Sequence, residues 1–204
     1  MPTLALVVIA LDEERGLPLA LASAGRIADE IVVAVDSRTR DRTRDRTREL
    51  APEARVVDLV FRDFAQMRNE AIALARSDWV FMLDADEVLE GDPRPLMEKR
   101  PAIWEFPRRH WLDFERTRPA PDDRFFPDRQ ARMFPNDGRV RFERPVHEVA
   151  EGLKRRRCME VVLHHLKQAL RSDETLAERR RLYEELVETG RRAGHRFRPG
   201  KDYA

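Results

Sequence analysis

Hydrophobic positions in the first ninety residues fall into four short, nearly unbroken runs, at 4–11, 31–35, 56–61 and 79–83. They are rich in Val, Ile and Leu and short, which predicts strands covered on both faces. Between them, apolar residues return every three or four positions: Leu17, Leu21 and Ala24 within 14–25, Leu50 closing 41–51, and Phe64, Met67, Ala71 and Leu74 within 64–76. That spacing predicts helices. Asp63, with Gln66 three residues on, reads as a capping box for the third of them. Strand and helix in alternation predict an α/β fold, a mostly parallel central sheet with helices on both faces and right-handed crossovers. Ligands on such sheets bind beyond the carboxyl ends of the strands. Asp12, Asp36 and Asp84 stand at three of those ends, and Asp63 closely follows the remaining one.

The pattern changes after residue 90. Nine prolines between 93 and 145 break the chain into short pieces, and interleaved Trp and Phe residues supply aromatic surface. This predicts a less regular, partly antiparallel half. Residues 159–166 read as one more strand, and 173–190 as an amphipathic helix with Leu176, Tyr183, Leu186 and Val187 on one side. The end, 196–204, is polar and reads as loose. The expected organisation is one domain over 1–170, its halves at about 1–90 and 91–170, followed by a helix and tail over 171–204.

Composition narrows the function. A chain of 204 residues suits one α/β domain with an appended helix. Charged residues make up 38% of it, yet the formal net charge is +1, so the charges are mixed. With no helix-turn-helix or RNA-binding signature, a nucleic-acid partner is not expected. Of 39 basic residues only Lys99, Lys154, Lys167 and Lys201 are lysine. Arginine forks suit phosphate and carboxylate, though a GC-rich genome gives the same bias. Residues 151–204 carry 14 basic and 9 acidic side chains, a balance open to contact with an anionic membrane, an acidic acceptor or water alone. The arginine-rich stretch 38–48 repeats with a period of four, which reads as a salt-bridged solvated helix or as a phosphate-facing one. Cys158 is the single cysteine, which fits a reducing compartment. The run 4–11 lacks a basic flank and is too short to span a bilayer, so the expected location is cytoplasmic, at most at the inner face of a membrane.

The sharpest chemistry is Asp84-Ala85-Asp86 after the fourth run, with Glu87 next to it. Carboxylates are hard oxygen donors for a divalent cation such as Mg²⁺ or Mn²⁺, which neutralises a departing diphosphate. A solvated acidic turn is the plain alternative. The same residues also resemble the first motif of haloacid-dehalogenase-type phosphatases, where Asp84 would be the nucleophile. Those enzymes place it on the first strand, whereas three strands precede it here. Nucleotide or nucleic-acid binding without catalysis is the non-enzymatic alternative.

Several motifs in order carry a wider resemblance. They are Ile9-Ala10-Leu11-Asp12-Glu13-Glu14, the strand ending at Asp36, Thr39-x-Asp41-x-Thr43, Phe64-Ala65-Gln66-Met67-Arg68-Asn69, the strand ending Leu83-Asp84-Ala85-Asp86, Arg132-Met133-Phe134, and Arg144-Pro145-Val146-His147-Glu148. Together they resemble the family-2 inverting glycosyltransferases of GT-A fold, and more narrowly the short bacterial branch related to lipopolysaccharide-core glucosyltransferases. The resemblance implies a transfer from a nucleotide-sugar, UDP-sugar foremost, to a cell-envelope glycan or glycolipid. It implies that Ala10, Leu11, Glu13, Asp36, Arg68 and Asp84 bind the nucleotide and that Asp86, with Asp84, holds the metal. The inverting reaction needs one base for the acceptor hydroxyl, and Glu148 beside His147 is the candidate. His164 and His165 end a strand-like run, so alternation sends them to opposite faces. His165 is the candidate third metal ligand. Asp12 stands where the family usually has Asn, and the oligomeric state is not legible.

Overall fold

The structure is a computed structural model and describes residues 1–197; the loose polar end expected at 196–204 lies, from residue 198 on, outside the described residues. Strands form at the four apolar runs: β1 (Leu4–Ala10), β2 (Glu30–Asp36), β3 (Arg55–Leu59) and β4 (Trp79–Asp84). They pair in parallel in the order β3-β2-β1-β4. The chain steps outward from β1 to β3 and then returns to the other side of β1. The ends of β1 and β4 therefore lie side by side at a topological switch, where an α/β sheet opens its crevice. Their register sets Ile9 against Asp84.

The runs of β1, β2 and β4 are apolar because both faces are covered, whereas β3, at the sheet edge, is only partly buried and exposes Asp58, so cover on both faces is not found there. Leu4, Leu6 and Val8 pack in the core that holds Leu17 and Leu21 of α1 (Leu17–Ala24). Ala5 and Val7 face the opposite core, with Met67 and Ala71 of α3 (Phe64–Leu74). Asp63 caps α3, accepting from the Gln66 amide at 2.7 Å, while the Gln66 side chain accepts from Arg62 N at 2.9 Å. The capping box is thus displaced by one residue from its expected closure on Asp63 N. In α2 (Thr43–Leu50) the buried residues are Thr43 and Thr47. Its arginines pair with Glu49, Asp45 and Asp58, as a solvated face would.

Beyond β4 the chain adds β5 (Glu87–Glu90), β6 (Ile103–His110), β7 (Asp128–Pro135), β8 (Arg141–Glu143), β9 (Val149–Glu151), β10 (Arg155–Arg157) and β11 (Val162–His165). The sheet continues from β4 through β7, β6 and β11 to β5, with β10 also on β6. This part is mixed: β7 runs antiparallel to β4 and β6, and β11 parallel to β6. β8 and β9 form a separate antiparallel pair. After α4 (Lys167–Leu170), α5 (Asp173–Arg192) buries Leu186 and Val187 against Val146, Phe61 and Phe64. Among the described residues no helix is long and apolar enough to cross a membrane.

Candidate functional site

The switch point opens into a cleft of about 750 Å³. All ten residues assigned a nucleotide, metal or catalytic role from the sequence line it: Ala10, Leu11, Glu13, Asp36, Arg68, Asp84, Asp86, His147, Glu148 and His165. The loops after β1 and β2 are tied together by the Thr-x-Asp-x-Thr stretch. Thr43 Oγ1 accepts from Glu13 N at 2.7 Å, and Asp41 accepts from Glu14 N at 2.9 Å. Asp12 adopts φ 52° and accepts from Arg40 N at 2.7 Å. Asn and Asp tolerate that left-handed conformation better than most residues. Asp36 is buried and gripped by Arg38, with Nη2 to Oδ2 at 2.6 Å, while the Arg38 guanidinium lies 4.8 Å from the Phe61 ring.

Arg68 and Asn69 have separate tasks. Asn69 donates to Phe142 O at 2.8 Å and accepts from Phe142 N at 2.9 Å, fixing β8 to α3. Arg68 is buried and bridges two carboxylates, Asp84 at 2.7 Å and Glu148 at 2.5 Å. Both of its paired nitrogens are thus engaged within the protein. Arg132 meets Asp84 from β7 and reaches Glu87 at 2.7 Å. Burial alone would raise the Asp84 pKa; Arg132 and then Arg68 outweigh it and hold the carboxyl well below its ordinary range. Glu87 is fully buried under Arg108 and Arg132; it does not line the cleft as a third free carboxylate.

Asp86 is met by Arg171, which also grips Glu13, and Arg179 reaches Glu13 at 2.8 Å and Leu11 O at 3.2 Å. The segment set apart from residue 171 on thus contributes two guanidiniums to the cleft. Burial works to raise the Asp86 pKa, but Arg171 above all holds it well below the usual range. Glu13 moves the other way, raised first by burial and then by Asp86. His165 Nε2 lies 3.4 Å from Asp86 Oδ1, and burial depresses its pKa. His164 points to the other face, accepting from Trp111 Nε1 at 3.0 Å with its Nε2 2.9 Å from Glu90.

The donor set suits a hard or borderline divalent cation: carboxylate oxygens of Asp86 and Asp84 and an imidazole nitrogen of His165. Asp86 and His165 already face each other, whereas both Asp84 oxygens are taken by arginines. Among the described residues no three acidic, His or Cys side chains converge closely enough to hold an ion unaided. A cation here would be anchored by Asp86 and His165 and completed by ligand oxygens. Mg²⁺ commonly binds in that way, through one or two carboxylates plus substrate phosphates.

Arg132, Arg171, Arg179, Arg108, His110 and Asp128 carry much of the site, and sequence reading gave them no role. Alternation along β7 puts Asp128, Gln130 and Arg132 on one face, a signal open to reading once that strand is known. Arg171 had none, since its place depends on how α5 docks.

The sequence model of the family described as Glycosyl transferase family 2 matches residues 5–99. A TPR repeat-containing protein of Synechococcus elongatus is 34% identical over 156 residues, covering 74% of this chain and 36% of that protein. The crystal structure of S. aureus TarS is similar with a TM-score of 0.54 and 14% identity, over 80% of this chain and 36% of TarS. Glucosyl-3-phosphoglycerate synthase from Mycobacterium tuberculosis, crystallised with Mn²⁺, UDP and phosphoglyceric acid, gives a TM-score of 0.43 at 20% identity, over 53% of this chain and 43% of that one. The chain spans little more than a third of the length of the Synechococcus protein and of TarS. The architecture is the α/β, GT-A-like one expected from the sequence.

Proposed function

We propose, from the match of residues 5–99 to the model of Glycosyl transferase family 2, that the chain is a glycosyltransferase of that family using a nucleotide-sugar, UDP-sugar foremost, and a divalent cation. The observation that carries this reading is the convergence of Asp36, Asp84, Asp86 and Glu148 on one cleft at the switch point. Asp36 and the loop 10–13 hold the nucleoside. Arg68 Nη1 and Arg132 Nε are buried beside Asp84 without hydrogen-bond partners among the described residues. Unspent donors of this kind favour an oxygen-rich ligand.

Asp86 and His165 would hold Mg²⁺ or Mn²⁺, joined by Asp84 only if it leaves its arginines, and the ion would supply positive charge for the departing diphosphate. Glu148 is the base: Arg68 Nε holds its Oε1, and its second oxygen takes the proton of the acceptor hydroxyl. That hydroxyl oxygen forms the new bond to the anomeric carbon from the face opposite the leaving group, so the configuration inverts. His147, at φ 51° and with its ring 6.0 Å from that of Tyr183, positions the acceptor beside Glu148. The acceptor is a cell-envelope glycan or glycolipid, and the branch related to lipopolysaccharide-core glucosyltransferases is part of the same proposal. So are the cytoplasmic location, contact of the basic C-terminal segment with an anionic membrane, and the division into 1–170 and 171–204.

The phosphatase reading is the weaker one, because both Asp84 oxygens are engaged by guanidiniums, which blunts a nucleophile.

Calorimetric titration of UDP with and without Mn²⁺ tests the donor site. Binding should require Mn²⁺ and be lost in Asp86→Ala. Absence of binding to any nucleoside diphosphate in either condition would overturn the assignment. Glu148→Gln should keep donor affinity and lose turnover by about 10²- to 10⁴-fold, the usual weight of a general base.

A further inference from the structure

A row of side chains crosses three strands beneath the acidic cluster. Asp128 on β7, Arg108 and His110 on β6 and His165 on β11 are brought together by register, which pairs Arg108 with Asp128 and His110 with His165. Asp128 Oδ2 accepts from Arg108 Nη2 at 2.7 Å and lies 3.0 Å from His110 Nε2, while Oδ1 accepts from Gln130 at 2.9 Å. The two imidazoles then meet Nδ1 to Nδ1 at 3.0 Å. The row ends at His165 Nε2, 3.4 Å from Asp86 Oδ1.

We propose that Asp128 acts through His110 to set the tautomer of His165, so that His165 presents a lone pair at Nε2. An ionised carboxylate only accepts, so His110 must carry its proton on Nε2. A neutral imidazole has one donor and one acceptor nitrogen, so His110 Nδ1 accepts. His165 then donates from Nδ1, and its Nε2 is left bare. Two acceptors, Nε2 and the Asp86 carboxylate, face each other at 3.4 Å, longer than the usual N–H···O range of about 2.7–3.2 Å. Such a pair is repulsive until a cation lies between them. His164 makes the contrast: Trp111 Nε1–H donates to its Nδ1, which leaves the proton on Nε2, facing Glu90. Two adjacent histidines are therefore held in opposite tautomers, and the one in the cleft has the tautomer that ligates through Nε2. Asp128 and His110 are positioning residues. The functional consequence rests on the assignment of His165 as a metal ligand; the tautomer itself does not.

The test is a long-range ¹H–¹⁵N correlation spectrum of metal-free protein labelled at histidine, with His165→Ala to assign the ring. The expected result is a protonated Nδ1 and a pyridine-like Nε2 for His165, with the reverse for His164. A protonated Nε2 on His165 in the wild type overturns the proposal, whatever any variant does to folding. In Asp128→Ala nothing accepts from His110 Nε2 in place of the carboxylate. The preference for one tautomer in both rings should then be lost, and Mn²⁺ affinity should fall about 10- to 100-fold, the usual weight of such an outer partner. A His165 tautomer preference unchanged in folded Asp128→Ala also overturns the proposal. Wild type with the expected tautomer but no Mn²⁺ binding supports the relay while sinking the metal assignment, so the two failures are distinguishable.

Discussion

Arg68 joins the two halves of the cleft, because one buried guanidinium holds Asp84 from the donor side and Glu148 from the other. Removing one partner of a buried ion pair costs about 3–5 kcal/mol, since it leaves charge uncompensated. Arg68→Ala should lose stability of that order in urea unfolding; a loss below about 1 kcal/mol, the worth of an exposed pair, would show the contacts to be loose. Gly16 is a steric counterpart: a Cβ there would lie 2.7 Å from Ala85 O and 3.2 Å from Glu13 Oε2. Gly16→Ala must push the loop after β1 away from the turn between the two aspartates. Overpacking of this kind costs about 1–3 kcal/mol, and a drop in Tm with weakened Mn²⁺-dependent UDP binding would report it. Glu148 and His147 were legible as candidates in the sequence. The ion pair that sets the orientation of Glu148 was not, because residues 80 positions apart in the chain share no local pattern.

The elements divide in the same way. The runs that became β1, β2 and β4 were readable because burial on both faces leaves them almost wholly apolar; β3, at the sheet edge, was readable from its β-branched residues although it is only partly covered. In α2 the helix was readable but its inner face was not: Thr43 and Thr47, rather than an apolar stripe, are the buried residues, and Thr47 Oγ1 donates to Thr43 O at 2.8 Å. The C-terminal helix has the largest consequence. Its amphipathic pattern announced a docked helix, but docking also brings Arg171 onto Asp86 and Glu13. Arg171 and a divalent cation then compete for one carboxylate. Charge-assisted hydrogen bonds contribute about 1.5–3 kcal/mol, so Arg171→Ala should bind Mn²⁺ about ten- to a hundredfold more tightly in the absence of nucleotide. Equal affinity, measured by electron paramagnetic resonance titration, would mean that Arg171 leaves Asp86 at no cost.

For the whole molecule, the buried carboxylates link stability to pH. Asp84, Asp86 and Asp128 all have folded pKa values below their ordinary ones, because the arginines facing them, and at Asp128 the hydrogen bond from His110, outweigh burial. A depressed carboxylate pKa contributes stability above the unfolded value, near 4, and loses it as pH falls toward the folded value. Glu13, raised by burial, works in the opposite sense, but it is one group against three. Calorimetry should show Tm falling between about pH 5 and pH 3, less steeply in Asp128→Asn; a flat profile would mean that the three pairs are not formed in solution. The order of strands and helices, the parallel sheet, and the carboxylates at its carboxyl edge were determined by the sequence itself. Hydrophobic periodicity and strand-end position are local properties that survive without coordinates. Only the tertiary structure decided which charges neutralise which: Arg132 and Arg68 on Asp84, Arg171 on Asp86, Asp128 through His110 on His165. Those pairings depend on strand register and on the docking of α5, and long-range electrostatic partners leave no periodic trace in a chain where arginine is everywhere.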